Sequence, residues 1–307
     1  MNIALKGIIP PMVTPLTELG DLDSKGLKKL ISHILAGGAH GLFLLGTTGE
    51  GPSLGHKLRK QLITETCAII NKRVPVLVCI TDTSISESLE IATHAAAAGA
   101  DILVVAAPYY FPISQEEMQE YLHTLVPSLP LPFILYNMPS CTKLHLSLQT
   151  VKKAKELGAI GIKDSSGDLP YLYALLKEFR NDDGFSVFTG SESFIPEIIE
   201  AGGDGAVAGG ANFFPRLFVE FYEASLANDV ERIRVLRKKV SWINDKLYHI
   251  VTQESRYVRS TKCVLSVMGI CADHTAAPLR PLDATQRAEI KARIEEFSYS
   301  NEYRTSP

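Results

Sequence analysis

Residues 75–107, PVLVCITDTSISESLEIATHAAAAGADILVVAA, hold one complete unit of the fold. Its two ends, 75–80 and 101–106, are short and continuously apolar rather than alternating, the pattern of strands buried on both faces of a parallel sheet. Between them Ser84 and Glu87 have the spacing of a capping box, which opens a helix. Ser114 and Glu117 repeat that spacing after the second strand, and Met118, Tyr121, Leu122 and Leu125 extend it as a buried helical face. Two parallel strands cannot be joined by a tight turn, so strand, helix, strand reads as a crossover unit.

The same rhythm runs outward in both directions. Further strands are predicted at 7–14, 41–46, 132–136, 159–163, 185–190 and 205–209, and Leu27, Leu30, Ile31, Ile34 and Leu35 form the apolar stripe of an early helix. Strand starts recur about every 20 to 35 residues, and eight such units predict a closed (β/α)8 TIM barrel. An open, doubly wound sheet is the rival. Its dinucleotide signature, G-x-G-x-x-G after the first strand, is missing. Beyond the eighth strand Val230, Ile233, Leu236, Val240, Ile243, Leu247 and Ile250 keep a helical period, as do 264–268 and 290–297. The expected organisation is a catalytic barrel over 1–227 with a helical extension, 228–307, packed on it.

Composition excludes several classes. Of 307 residues 46% are apolar and 21% charged, with a formal net charge of −3. That is a globular balance with no basic footprint for nucleic acid and no polybasic membrane anchor. No apolar run approaches the roughly 20 residues of a membrane span. Residues 1–10 lack a charged and then apolar leader, and the five cysteines include no C-x-x-C pair, so a cytoplasmic protein with reduced thiols and no zinc site is expected. The eight histidines form no H-x-H or H-x-x-x-H pair, and no metal is expected.

Barrel chemistry sits at the C-terminal strand ends. Lys163 ends an apolar strand, so its amine is expected at the barrel mouth, where desolvation lowers a lysine pKa and frees it to attack a ketone. A phosphate-binding lysine is the alternative on position alone. Tyr136 ends the preceding strand, about 4.8 Å away across the ladder, where a phenol can shuttle protons or simply line the rim. Thr47 and Thr48, on the glycine-flanked turn Gly46-Thr47-Thr48-Gly49-Glu50, offer hydroxyls and N–H groups to a small carboxylate. Glu50 reads as a loop-bracing carboxylate before an acid or base.

These residues carry a resemblance. GLFLLGTTGEGPSL, 41–54, is similar to the N-terminal signature of the dihydrodipicolinate synthase/N-acetylneuraminate lyase family. Tyr136-Asn137-Met138-Pro139, followed by Gly161-Ile162-Lys163-Asp164-Ser165, resembles its second signature, and Pro108-Tyr109-Tyr110 resembles the synthase branch. The resemblance runs from about Ile8 to Leu282 and implies a Schiff-base class I aldolase, a carbon–carbon lyase or hydro-lyase acting on pyruvate plus an aldehyde. It implies a homotetramer built as a dimer of dimers, and no cofactor beyond the covalent imine on Lys163. By matching position, Tyr136 is the proton-transferring phenol and Thr47 and Thr48 hold the keto-acid carboxylate. Tyr110 reaches across a dimer interface to complete a relay with Thr47 and Tyr136. Gly190 and Val207 line the pocket, with Cys141, Ser165 and Glu192 as further substrate contacts.

Three positions depart from the pattern. Where synthases carry an arginine that pairs with the aldehyde's carboxylate, this chain has Cys141, which supplies no charged fork. Gly209 replaces the lyase branch's sugar-binding serine, and Leu58 stands for a usual glutamate. Ser191, Glu192 and Ser193 are polar enough for the hydroxyls of a sugar acid. A 2-keto-3-deoxy sugar acid is therefore the expected substrate. The alternatives are 4-hydroxy-tetrahydrodipicolinate synthesis from aspartate semialdehyde, disfavoured by Cys141, and a non-catalytic keto-acid-binding homologue.

Overall fold

A computed structural model describes residues 5–180 and 182–302. Residues 1–4, within the 1–10 start, and 303–307, at the end of the 228–307 segment, lie outside them. Eight parallel strands follow one another around a curled sheet: β1 Gly7–Ile8, β2 Leu42–Leu44, β3 Val76–Cys79, β4 Ile102–Ala106, β5 Phe133–Asn137, β6 Ala159–Asp164, β7 Ser186–Thr189 and β8 Gly205–Ala206. β1 pairs with β8, and Met12 N donates to Phe43 O at 2.9 Å, which joins the first segment to β2 and closes the ring.

Helices α1 Ser24–Ala36, α2 His56–Ile70, α3 Ile85–Ala98 and α4 Gln115–Leu125 follow the first four strands. A short α5 Pro139–Thr142 precedes α6 Leu148–Glu156, and α7 Leu169–Phe179, α8 Ile195–Glu200 and α9 Pro215–Leu226 complete the circuit. The extension is α10 Val230–Lys246, α11 Arg256–Val267 and α12 Ala284–Glu302. On α10 the apolar period buries Leu236, Val240 and Ile243 and leaves Val230 exposed.

Two apolar layers result from strand alternation. Ile9, Phe43, Leu77, Ile102, Val104, Ile134 and Phe188 fill the barrel, whereas Leu42, Leu44, Val76, Val78, Leu103 and Val105 face the helices. The barrel is a packed core and not a pore.

Three local expectations are corrected. The 7–14 strand is only two residues long, because Pro10 and Pro11 have no N–H to donate to a ladder. Asn212 repairs this seam: its Oδ1 accepts from Val13 N at 3.0 Å, and its Nδ2 donates to Pro11 O at 3.0 Å and Gly209 O at 2.8 Å. The 205–209 strand likewise stops at Ala206, where a 3-10 turn over Gly209–Asn212 begins three residues later. The Ser84–Glu87 capping box does not form. Ser84 Oγ instead meets Ser86 Oγ at 2.7 Å and Glu87 pairs with His56 across helices α2 and α3. The Ser114–Glu117 box is complete, with Ser114 N donating to Glu117 Oε2 at 2.7 Å and Glu117 N to Ser114 Oγ at 3.2 Å.

Candidate active site

Lys163 reaches the barrel interior through an irregularity. Along β6, Ala159 faces the helices and Ile160 the barrel, so strict alternation would turn residue 163 outward. Between the pairs Phe133↔Ala159 and Leu135↔Ile162, however, Ile160 and Gly161 together oppose the single Ile134. This β-bulge shifts the phase, puts Ile162 among the helices and turns Lys163 inward beside Tyr136, its ladder partner. Gly161 is needed there, because a Cβ would stand 2.5 Å from Ser186 O. Gly161→Ala is expected to cost about 1–3 kcal/mol of stability by overpacking and to misdirect the amine. Thermal melts and covalent trapping of a keto acid should fall together.

The amine is enclosed. Lys163 is 5% exposed, and its Nζ lies 4.0 Å from the Tyr136 ring centroid and 4.9 Å from that of Phe43. Burial lowers its pKa from 10.5 to about 7, against the opposing pull of Cys79, Cys141 and Asp164. The rings stabilise the ammonium, yet desolvation outweighs them. Tyr136 is buried among Phe43, Phe188 and Val207, and its hydroxyl is 3.2 Å from Thr47 Oγ1. Burial raises its pKa well above 10, with the Thr47 and Ser165 hydroxyls pulling the other way, so the phenol stays protonated.

A buried scaffold holds these strand ends in register. Asn137 Nδ2 donates to Asp164 Oδ1 at 2.7 Å, and Asn137 Oδ1 accepts from Leu146 N at 3.0 Å. Asp164 also accepts from Ser166 Oγ at 2.9 Å, and burial raises its pKa despite these bonds. Ser165 and Gly190 lie against each other, since a Cβ on Gly190 would come 2.0 Å from Ser165 Oγ.

Thr47 and Thr48 share the turn after β2, with Thr48 half-buried. Glu50 closes that turn as a brace: its Oε1 accepts from Ala276 N at 2.7 Å and its Oε2 pairs with Lys262. Cys141 sits exposed on α5, close enough to Tyr136 and Lys163 to act on their charge. Glu192 joins two loops and the extension, accepting at Oε1 from Gly210 N at 2.5 Å and from Tyr248 OH at 3.3 Å. Burial raises its pKa to about 7. Tyr110 is not drawn in: it is 69% exposed, edge-on to Phe111.

Gly161, Asn212 and Lys262 were not among the sequence candidates. A glycine inside an apolar strand was the available sign of the bulge. Among the described residues His56, Glu87 and Glu90 bring three potential metal ligands together, but on helices α2 and α3 and with Lys60 already on Glu90.

Fold and site together describe a barrel whose mouth holds a buried strand-end amine beside a buried phenol. The chain belongs to the dihydrodipicolinate synthetase family, whose model matches residues 4–297. It is 31% identical to a probable 2-dehydro-3-deoxy-D-pentonate aldolase, YjhH, of Escherichia coli K12, over 94% of this chain and 95% of that protein. It is also 31% identical to a 4-hydroxy-tetrahydrodipicolinate synthase of Methanopyrus kandleri, over 91% and 92%. Among solved structures, a dihydrodipicolinate synthase from Bacteroides thetaiotaomicron superposes with a TM-score of 0.92 at 45% identity, covering 96% of this chain and all 100% of that one. The E. coli K12 protein YagE in complex with pyruvate superposes with a TM-score of 0.89 at 30% identity, over 96% and 99%. Family members with these names are lyases and aldolases, and this chain is an enzyme of that kind. No helix among the described residues is long and apolar enough to cross a membrane.

Proposed function

We propose that the protein is a Schiff-base aldolase that interconverts pyruvate plus an aldehyde with a 2-keto-3-deoxy sugar acid. The observation that carries the chemistry is the enclosed Lys163 amine, with a pKa of about 7 and the Tyr136 ring 4.0 Å away. The neutral amine adds to the C2 carbonyl of the keto acid, and loss of water leaves an iminium. In the cleavage direction the C4 hydroxyl gives up its proton through Tyr136 and Thr47. The C3–C4 bond then breaks and its electron pair passes into the iminium, giving an enamine and a free aldehyde. Protonation at C3 and hydrolysis release pyruvate and restore the amine. The iminium is the electron sink, so the chemistry calls for no organic cofactor or metal. Thr47 and Thr48 receive the keto-acid carboxylate.

Two features support a polyhydroxylated aldehyde. Position 141, on α5, carries an exposed thiol in place of an arginine, and Glu192, beside Gly209 and Gly210, adds a carboxyl of a kind that bonds hydroxyl groups. The synthase reading with aspartate semialdehyde is favoured by the 45% identity to the Bacteroides thetaiotaomicron structure. It leaves the aldehyde's carboxylate without an arginine at position 141. The exposed Tyr110 fits a cytoplasmic homotetramer in which it completes the relay of a neighbouring copy.

Turnover of a panel of 2-keto-3-deoxy sugar acids, with synthase activity on aspartate semialdehyde measured alongside, tests the reading. The expected result is cleavage of at least one sugar acid at a kcat/KM at least about tenfold above synthase activity, the worth of one polar contact. A protein efficient with aspartate semialdehyde and inert on the panel overturns the substrate assignment. A protein that forms no pyruvate adduct under borohydride overturns the aldolase itself.

A further inference from the structure

The Glu50–Lys262 pair takes no part in the steps above, yet it is the deepest charge pair of the molecule described, with side chains 1% and 0% exposed. Its two halves come from opposite ends of the sequence. Glu50 ends the turn that carries Thr47 and Thr48, and its own N–H donates to Thr47 O at 3.1 Å. Lys262 belongs to α11 of the extension, where its Nζ also donates to His274 O at 2.7 Å. The other carboxylate oxygen of Glu50 is held by Ala276 N, again from the extension. Burial lowers the Lys262 pKa, while Glu50 beside it favours the ammonium.

The turn needs these anchors. Leu45 and Glu50 flank it with φ of 59° and 57°, the left-handed region that L side chains occupy only when their surroundings hold them there. On the barrel side Thr14 Oγ1 donates to Gly49 O at 2.7 Å. Release of the carboxylate is expected to relax the turn and lengthen the contact, 3.2 Å here, from Thr47 Oγ1 to the Tyr136 hydroxyl.

We propose that Lys262 is a positioning residue for the reaction: through Glu50 it fixes the 47–50 turn, so that the extension sets the receptor for the keto-acid carboxylate. The proposal rests on the aldolase reading of the site. Replacing both partners by apolar or neutral groups of similar shape removes the clamp without stranding a buried charge. Glu50→Gln/Lys262→Met is the main variant for that reason, and Glu50→Gln alone, which keeps an acceptor for Ala276 N, is the second.

Each protein is trapped with borohydride over a range of pyruvate and, separately, of acetone, which has the carbonyl without the carboxylate. The pyruvate concentration for half-maximal trapping is expected to rise about tenfold, equivalent to about 1.4 kcal/mol. The adduct at saturation is expected to remain one per chain, and acetone trapping to be unchanged. A folding defect alone lowers both ketones' yields together and leaves their ratio as it was. An unchanged pyruvate-to-acetone ratio in either folded variant overturns the proposal and leaves the pair a purely structural clasp. Absence of any adduct on the wild-type protein overturns the aldolase reading, and the proposal with it.

Discussion

Lys163→Arg is expected to abolish covalent trapping of pyruvate while the protein stays folded. Arginine keeps a cation at the strand end, so it retains whatever electrostatic attraction the lysine exerts on a carboxylate. Its guanidinium stays protonated and forms no imine under these conditions. The comparison therefore separates nucleophilicity from charge, which Lys163→Ala alone does not. Intact mass after borohydride reduction reads the result, and an adduct of wild-type yield on the Lys163→Ala protein would remove the assignment. The wild-type protein adds a pH test. With the amine's pKa lowered to about 7, the reactive neutral form is scarce below that pH and dominant above it. Imine formation is expected to rise as pH increases through about 7 and then level off. A rise deferred to the range of a solvated lysine, about 10.4, would show that burial does not govern this amine.

The strand-and-helix rhythm was legible because continuous apolar runs and capping spacings are local. Residues 101–106 and 132–136 match β4 and β5 to within one residue. The site was legible to the extent that it lies on strand ends: Tyr136 and Lys163 do face each other across one ladder pair. Lys163 was expected at the barrel mouth from its place at a strand end, but its inward turn does not follow from alternation along β6. It depends on the bulge at Ile160 and Gly161, a register between two strands that neither strand's own sequence specifies. Long-range polar closure was equally hidden. Asn212 spans 199 positions to Val13, and Lys262 reaches Glu50 from beyond the barrel. No period or motif links such residues, since what selects them is the need to satisfy buried groups where strands run out. The Ser84–Glu87 spacing failed for a related reason. His56 offers Glu87 a side-chain partner across the helix interface, and the local signal yields to it.

Tyr136→Phe is expected to lower turnover of the accepted 2-keto acid by about two to four powers of ten, the range for a positioned proton-transfer group. The substitution leaves the ring that packs against Phe43, with centroids 5.9 Å apart, and the face presented to Lys163. It removes the hydroxyl, with its 3.2 Å contact to Thr47 and its interaction with the Ser165 hydroxyl. Some imine with pyruvate is thus expected to form still, more slowly, because the amine and its desolvated surroundings remain. Loss of turnover with retained trapping places the phenol in the proton transfers that follow attack. Burial raises the pKa of Tyr136, which favours its acting first as a proton donor. In the proposed mechanism a protonated phenol would donate to the oxygen of the tetrahedral adduct as water leaves, and would take the C4 hydroxyl's proton only once it had given up its own. The Tyr136→Phe protein should therefore be slow both at dehydration and at carbon–carbon cleavage. Single-turnover measurements of adduct formation and aldehyde release read the two steps separately. Unchanged rates in both would reduce Tyr136 to a rim aromatic and leave proton transfer to Thr47 and solvent.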